Sequence, residues 1–143
     1  MLVRENGRTC RILLADSSDL LCEQVTAMLA DVDCELVTVR DGFEVLCRLP
    51  GIQPDLLLIS SELPRLSGLQ VCSLLRQSPD FSALPVVLML NTGTAVETAR
   101  ATLAGASACL PKPFRRKELE AVLAGLSDNP GLSDNRCVLT AVA

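Results

Sequence analysis

The chain contains no histidine, no tryptophan and no tyrosine, and only three phenylalanines in 143 residues. Without His there is no Ser-His-Asp or Cys-His catalysis, no His-ligated metal and no phosphohistidine donor. With so few rings there is no stacking platform for single-stranded nucleic acid. Positive charge is not in excess either: the net charge is -4, which argues against a nucleic-acid-binding face. No apolar run approaches the ~20 residues that cross a bilayer. Residues 1–8 are not followed by a signal-type apolar core with a small-residue cleavage site, so a cytoplasmic protein without membrane insertion is expected.

What is present suffices for one folded domain. Apolar residues make up 49% and charged residues 21%, a balance that can bury a core. The seven cysteines, Cys10, Cys22, Cys34, Cys47, Cys72, Cys109 and Cys137, are odd in number, widely spaced and never arranged as C-x-x-C. That pattern fits neither a zinc site nor a disulfide framework. They read as soft apolar fillers in a reducing compartment, with a redox-sensing thiol as the alternative.

Strand and helix signals alternate five times. Residues 11–15 form a short apolar run ending at Asp16, and Ser17 or Ser18 caps a helix striped by Leu21, Val25, Met28 and Leu29. A Val- and Thr-containing strand over 35–40 leads to the Asp41-Gly42 turn and a short helix stopped by Pro50-Gly51. Residues 55–59 are the most apolar run and the best central strand. A helix around Leu69–Leu75 ends near Ser78-Pro79, and a strand over 86–90 follows Pro85. A helix over 94–104, a strand over 107–110 and a helix over 114–126 complete the series. Buried strands joined by crossover helices imply an open parallel α/β sheet, with its site at the C-terminal ends of the strands. The expected domain therefore spans 10–127, after a flexible N-terminus over 1–9. Leu126-Ser-Asp-Asn129 recurs as Leu132-Ser-Asp-Asn135, so 128–143 reads as a polar linker or tail, whose weakly apolar end, 136–143, is left open to dock on the domain or on a partner.

Taken in order, Ile12-Leu-Leu-Ala-Asp16, Asp41-Gly42, Pro54-Asp-Leu-Leu-Leu-Ile-Ser60, Pro64, Gly68, Leu84-Pro85-Val-Val, Ala104-Gly-Ala106 and Lys112-Pro113-Phe114 resemble the receiver domain of bacterial response regulators. The resemblance covers residues 10–126 almost without gaps. It implies a flavodoxin-like α/β fold: a five-stranded parallel sheet in the order 2-1-3-4-5, flanked by five helices. It also implies a cis Lys112-Pro113 peptide.

Receivers of this family accept a phosphoryl group from a kinase phosphohistidine onto an Asp ending the third strand. Mg²⁺ is held there by that Asp and by an acidic pair after the first strand. A hydroxyl after strand four and a Lys after strand five grip the phosphoryl oxygens. Counting from Pro54 and back from Pro64, the acceptor position is Ser60. The acidic pair falls on Asp16 and Ser17, the hydroxyl position on Leu90 and the aromatic switch position on Cys109. Only Asp16 and Lys112 match. Glu62, two residues beyond Ser60, is either a substitute carboxylate that pairs with Lys112 or an exposed loop residue.

The losses agree with one another. A Ser hydroxyl is not a carboxylate nucleophile, and Asp16 alone is too small a ligand set for Mg²⁺. The resemblance implies a degenerate receiver, a pseudo-receiver with no enzymatic role and no cofactor. It would act in two-component or phosphorelay signalling through contacts with a kinase, scaffold or effector. The contact face would be the fourth helix, fifth strand and fifth helix, with Cys109, Arg115, Arg116 and Lys117 on it; a homodimer is left open. Two other readings stand beside this one. The first is a phospho-accepting regulator with a displaced acidic site, which would need Mg²⁺. The second is a thiol sensor built on Cys109.

Overall fold

A computed structural model describes residues 2–4, 9–127 and 137–139. Five parallel strands form the central sheet: β2 (Cys10–Ala15), β3 (Cys34–Val39), β4 (Leu56–Ser60), β5 (Val86–Leu90) and β6 (Ala108–Pro111). Their order is β3-β2-β4-β5-β6, which is the expected 2-1-3-4-5 arrangement counted within this sheet. Helices α1 (Asp19–Met28), α2 (Gly42–Ile52), α3 (Gly68–Gln77), α4 (Ala95–Ala104) and α5 (Arg116–Ser127) make the crossovers and flank the sheet.

The period-two side-chain alternation of buried strands explains the layering. Ile12, Leu14, Leu56, Leu58, Val87 and Met89 pack on one side against α1 and α5, through Val25, Leu29, Leu119 and Leu123. Leu13, Ala15, Leu57, Ile59, Leu88 and Leu90 pack on the other against α2, α3 and α4, through Val45, Val71, Leu75 and Ala101. All five residues of β4 are buried, as are all five of β5, as strands covered on both faces require. Each buried Leu, Ile or Val contributes about 1.5–3 kcal/mol.

Helix starts follow the capping chemistry in the sequence. Ser18, Asp41, Ser67 and Thr94 each accept a hydrogen bond from a first-turn N–H, and Ser67 and Gln70 close a full capping box. One stop signal acts late. The helix expected to end at Pro50-Gly51 continues to Ile52, so Pro50 lies inside α2. Pro50 is exposed and only two residues from the C-terminal end of the helix, so the break its missing N–H makes in the hydrogen-bond ladder leaves little helix beyond it. Gln53, in the left-handed region at φ 49, then closes the helix by donating its N–H to the Leu49 carbonyl.

The N-terminal end departs from the expected flexible segment, while residues 137–139 take the docking on the domain that was left open for the weakly apolar end of the chain. Strand β1 (Leu2–Arg4) pairs antiparallel with β7 (Cys137–Leu139), and β7 lies against α5. Both segments carry the β-favouring Leu and Val that short strands use. Most of the repeated Leu-Ser-Asp-Asn stretch, over 128–136, falls outside the described residues. Cys10 is disulfide-bonded, against the expectation of thiols throughout, while Cys22, Cys34, Cys47, Cys72 and Cys109 are free. Among the described residues no helix is long and apolar enough to cross a membrane.

Candidate functional site

The C-terminal ends of β2, β4 and β6 bring Asp16, Ser60 and Lys112 together. Sheet hydrogen bonds set their backbones. The Asp16 N–H donates to the Val39 carbonyl at 3.2 Å, and the Lys112 N–H to the Leu90 carbonyl at 2.7 Å. The peptide that follows, Lys112-Pro113, is cis as the resemblance implied. Helix α3 begins directly on this floor. A Cβ on Gly68 would stand 1.9 Å from the Ser60 carbonyl oxygen, so only glycine admits this approach.

The three side chains satisfy one another. Lys112 Nζ donates to Asp16 Oδ2 at 2.8 Å and to Ser60 Oγ at 2.9 Å. The other carboxylate oxygen of Asp16 accepts the Ser18 N–H at 2.8 Å. Asp16 is 3% exposed and Ser60 1%, while the Lys112 side chain reaches them from the pocket rim at 22% exposure. In such a setting an ammonium and its hydrogen-bonded carboxylate hold together well, whereas either alone would be costly.

Glu62 is not part of it. Its side chain is exposed and forms no ion pair among the described residues, so the pairing of Glu62 with Lys112 does not occur. The reason is reach and burial: Asp16 meets the ammonium inside the protein, where attraction is stronger than at the surface. Ser17 is exposed. Leu90 is fully buried in the layer under α2, α3 and α4.

Mg²⁺ does not fit this donor set. Both oxygens of Asp16 already face donors, one of them a cation that would repel the metal. The second acidic position is Ser17 and the acceptor position is Ser60, where a magnesium site calls for carboxylate oxygens. Among the described residues no group of three or more His, Cys, Asp or Glu gathers to hold a metal.

Cys109, at the switch position, is half-buried against the α2–α3–α4 layer. Burial pushes its thiol up, and the Glu97 charge adds to the effect. A raised thiol carries less thiolate, the reverse of what a redox sensor needs. Arg115, Arg116 and Lys117 are exposed at the start of α5, but Arg116 is taken by Glu120 at 2.7 Å and Asp31 at 3.0 Å. The basic patch is therefore smaller than its sequence, with Arg115 and Lys117 as its unpaired cations among the described residues.

Glu97 is the site residue that sequence reasoning missed. Its carboxylate accepts hydrogen bonds from the loop between β5 and α4 and, at 3.2 Å, from Ser61 Oγ at the tip of β4. Thr94-Ala-Val-Glu97 carried a signal, since a Thr followed three residues later by Glu marks a capping box.

Similarity to known proteins agrees with this fold. The family model for the response regulator receiver domain matches residues 12–124. Protein PilG of Pseudomonas aeruginosa is 27% identical over 109 residues, 76% of this chain and 81% of PilG. The DNA-binding response regulator MtrA of Mycobacterium tuberculosis is 32% identical over 111 residues, 78% of this chain but 47% of MtrA, so the chain spans about half of that relative. A crystal structure described as that of a response regulator, from Chloroflexus aurantiacus, superposes with a TM-score of 0.79 at 26% identity, covering 82% of this chain and 97% of the other. The chain belongs to the response regulator receiver domain family of two-component signalling modules.

Proposed function

We propose that this receiver takes no phosphoryl group at the usual position and signals through protein–protein contact. One observation carries the reading: the Lys112 ammonium is already committed to Ser60 Oγ and Asp16 Oδ2. The cation that would grip a phosphoryl oxygen is neutralised by a buried carboxylate, and the acceptor position offers a hydroxyl. The receiver-like domain spans 10–127 and works in the cytoplasm. Its partners are a kinase, scaffold or effector that docks on α4, β6 and α5, where Arg115 and Lys117 present free positive charge.

The test is an amide NMR titration of the full chain with beryllofluoride at millimolar Mg²⁺. The expected result is no saturable shift at Ser60, Asn91 or Lys112. Saturable shifts centred on those residues would sink the proposal and favour a displaced phospho-accepting site.

A further inference from the structure

The loop between β5 and α4 closes around a single carboxylate. Glu97 occupies the first turn of α4, three residues after the N-cap Thr94, and its own N–H donates to Thr94 Oγ1 at 3.2 Å. In an ordinary capping box the carboxylate would turn back onto the N–H of the cap itself. Glu97 instead reaches past Thr94. Oε1 accepts the Asn91 N–H at 2.8 Å and the Ser61 hydroxyl at 3.2 Å. Oε2 accepts the Thr92 N–H at 2.9 Å, the Thr92 hydroxyl at 2.5 Å and the Gly93 N–H at 3.1 Å.

Three successive amides converging on one anion form a nest, and Gly93, at φ 67, supplies the left-handed residue that bends the loop into it. Ser61 gives the contact a different character. It is 2% exposed, lies just past the end of the neighbouring strand β4 and directly follows the degenerate acceptor position Ser60. Local helix capping does not need a donor 36 residues away. The carboxylate thus ties the tip of β4 to the β5–α4 loop and to α4 itself. No Lys or Arg among the described residues pairs with it, so its negative charge is met by neutral donors alone.

We infer that the Glu97 carboxylate is a built-in anion that holds the β5–α4 loop closed on β4, keeping the α4 surface in one conformation without a phosphoryl donor. The inference deepens the proposed function and rests on it, because a receiver that takes no phosphate needs another charge to bridge these elements. The hydrogen bonds, chiefly from the Thr92 hydroxyl, lower the Glu97 carboxyl to about 2, so the bridge is charged under physiological conditions. Helix α4 then carries Val96 and Leu103, 66% and 88% exposed, in a fixed position.

Hydrogen exchange on the full chain tests this with Glu97→Ala and Glu97→Gln beside the unsubstituted protein. Exchange of the Asn91, Thr92 and Gly93 amides should speed up about tenfold in both variants, because Gln keeps the shape but not the charge. Leu58 and Leu88, in β4 and β5, should keep their protection. Loop exchange within twofold of the unsubstituted protein in Glu97→Ala would overturn the inference. So would a Glu97→Gln variant that protects the loop as well as Glu97 does, or acceleration spread equally to Leu58 and Leu88. No phosphoryl donor enters this experiment. Its failure is therefore distinct from a beryllofluoride response, which reads binding of a phosphoryl analogue rather than amide protection in the unliganded chain.

Discussion

The Lys112 ammonium donates to Asp16 Oδ2 at 2.8 Å, joining two residues 96 apart in sequence across the end of the sheet. Asp16 is 3% exposed, so removing its cation would strand a buried carboxylate. Lys112→Met should destabilise the chain by about 2–3 kcal/mol, somewhat under the range for fully buried pairs because the Lys112 side chain is 22% exposed. Asp16→Asn in the same background should recover part of that loss, since no charge then needs a partner. Urea denaturation of the two single variants and the double variant measures the coupling. Additive effects would show that the pair is not an energetic unit.

Restoring only the acceptor carboxylate should not restore phosphorylation. Ser60→Asp places a second carboxylate beside Asp16 in a site where Ser60 is 1% exposed. Two carboxylates then share one ammonium, which costs stability by like-charge repulsion and desolvation. The acidic position at Ser17 and the hydroxyl position at Leu90 remain empty of oxygen ligands of the right kind. The expected outcome is a lower urea midpoint and no Mg²⁺-dependent labelling by acetyl phosphate. Labelling of the single variant would mean that Asp16 and Lys112 alone sustain the transfer.

Gly68 predicts a purely steric effect. Gly68→Ala drives a methyl to within 1.9 Å of the Ser60 carbonyl oxygen, a backbone atom that cannot swing away. The start of α3 must retreat from β4, at a cost of about 2 kcal/mol or more. Gly51, in α2, has no atom within 4 Å of such a methyl and is its control. Replacing Gly51 with Ala should be neutral or stabilising, as helix propensity favours Ala. Equal thermal midpoints for Gly68→Ala and the unsubstituted chain would refute the close approach.

Much of this was legible in the sequence, and the exceptions share a cause. The run Leu56–Ile59 read best as a strand buried on both faces, and strand and helix signals alternating along the chain put Asp16, Ser60 and Lys112 at one end of the sheet. What counting cannot supply is the direction a long side chain takes among competing partners. Lys112 turned to Asp16 and Ser60 rather than Glu62, and Glu97 passed over its own cap to reach Ser61. Arg116 was drawn off the basic patch by Asp31, 85 residues away. The pairing of β1 with β7 likewise depends on a contact across nearly the whole chain, which no local pattern encodes.

Acid should dissolve the Glu97 bridge, and only in a narrow window. Its carboxyl lies at about 2 in the folded chain against 4.5 as the ordinary value, lowered chiefly by the Thr92 hydroxyl and then by the Thr92, Asn91 and Gly93 amides. A depressed value means that the unfolded chain binds the proton more readily than the folded one. The stabilisation from Glu97 is therefore complete above its unfolded value and is lost as pH falls from there through about 2. Other carboxylates titrate over the same range, but they do so equally in Glu97→Gln and cancel in the difference. The gap in urea midpoint between the unsubstituted chain and Glu97→Gln should be flat at neutral pH and close steadily as the solution is acidified toward pH 2. A gap that stays constant down to that pH would mean that the Glu97 charge contributes nothing and that the loop is held by shape alone.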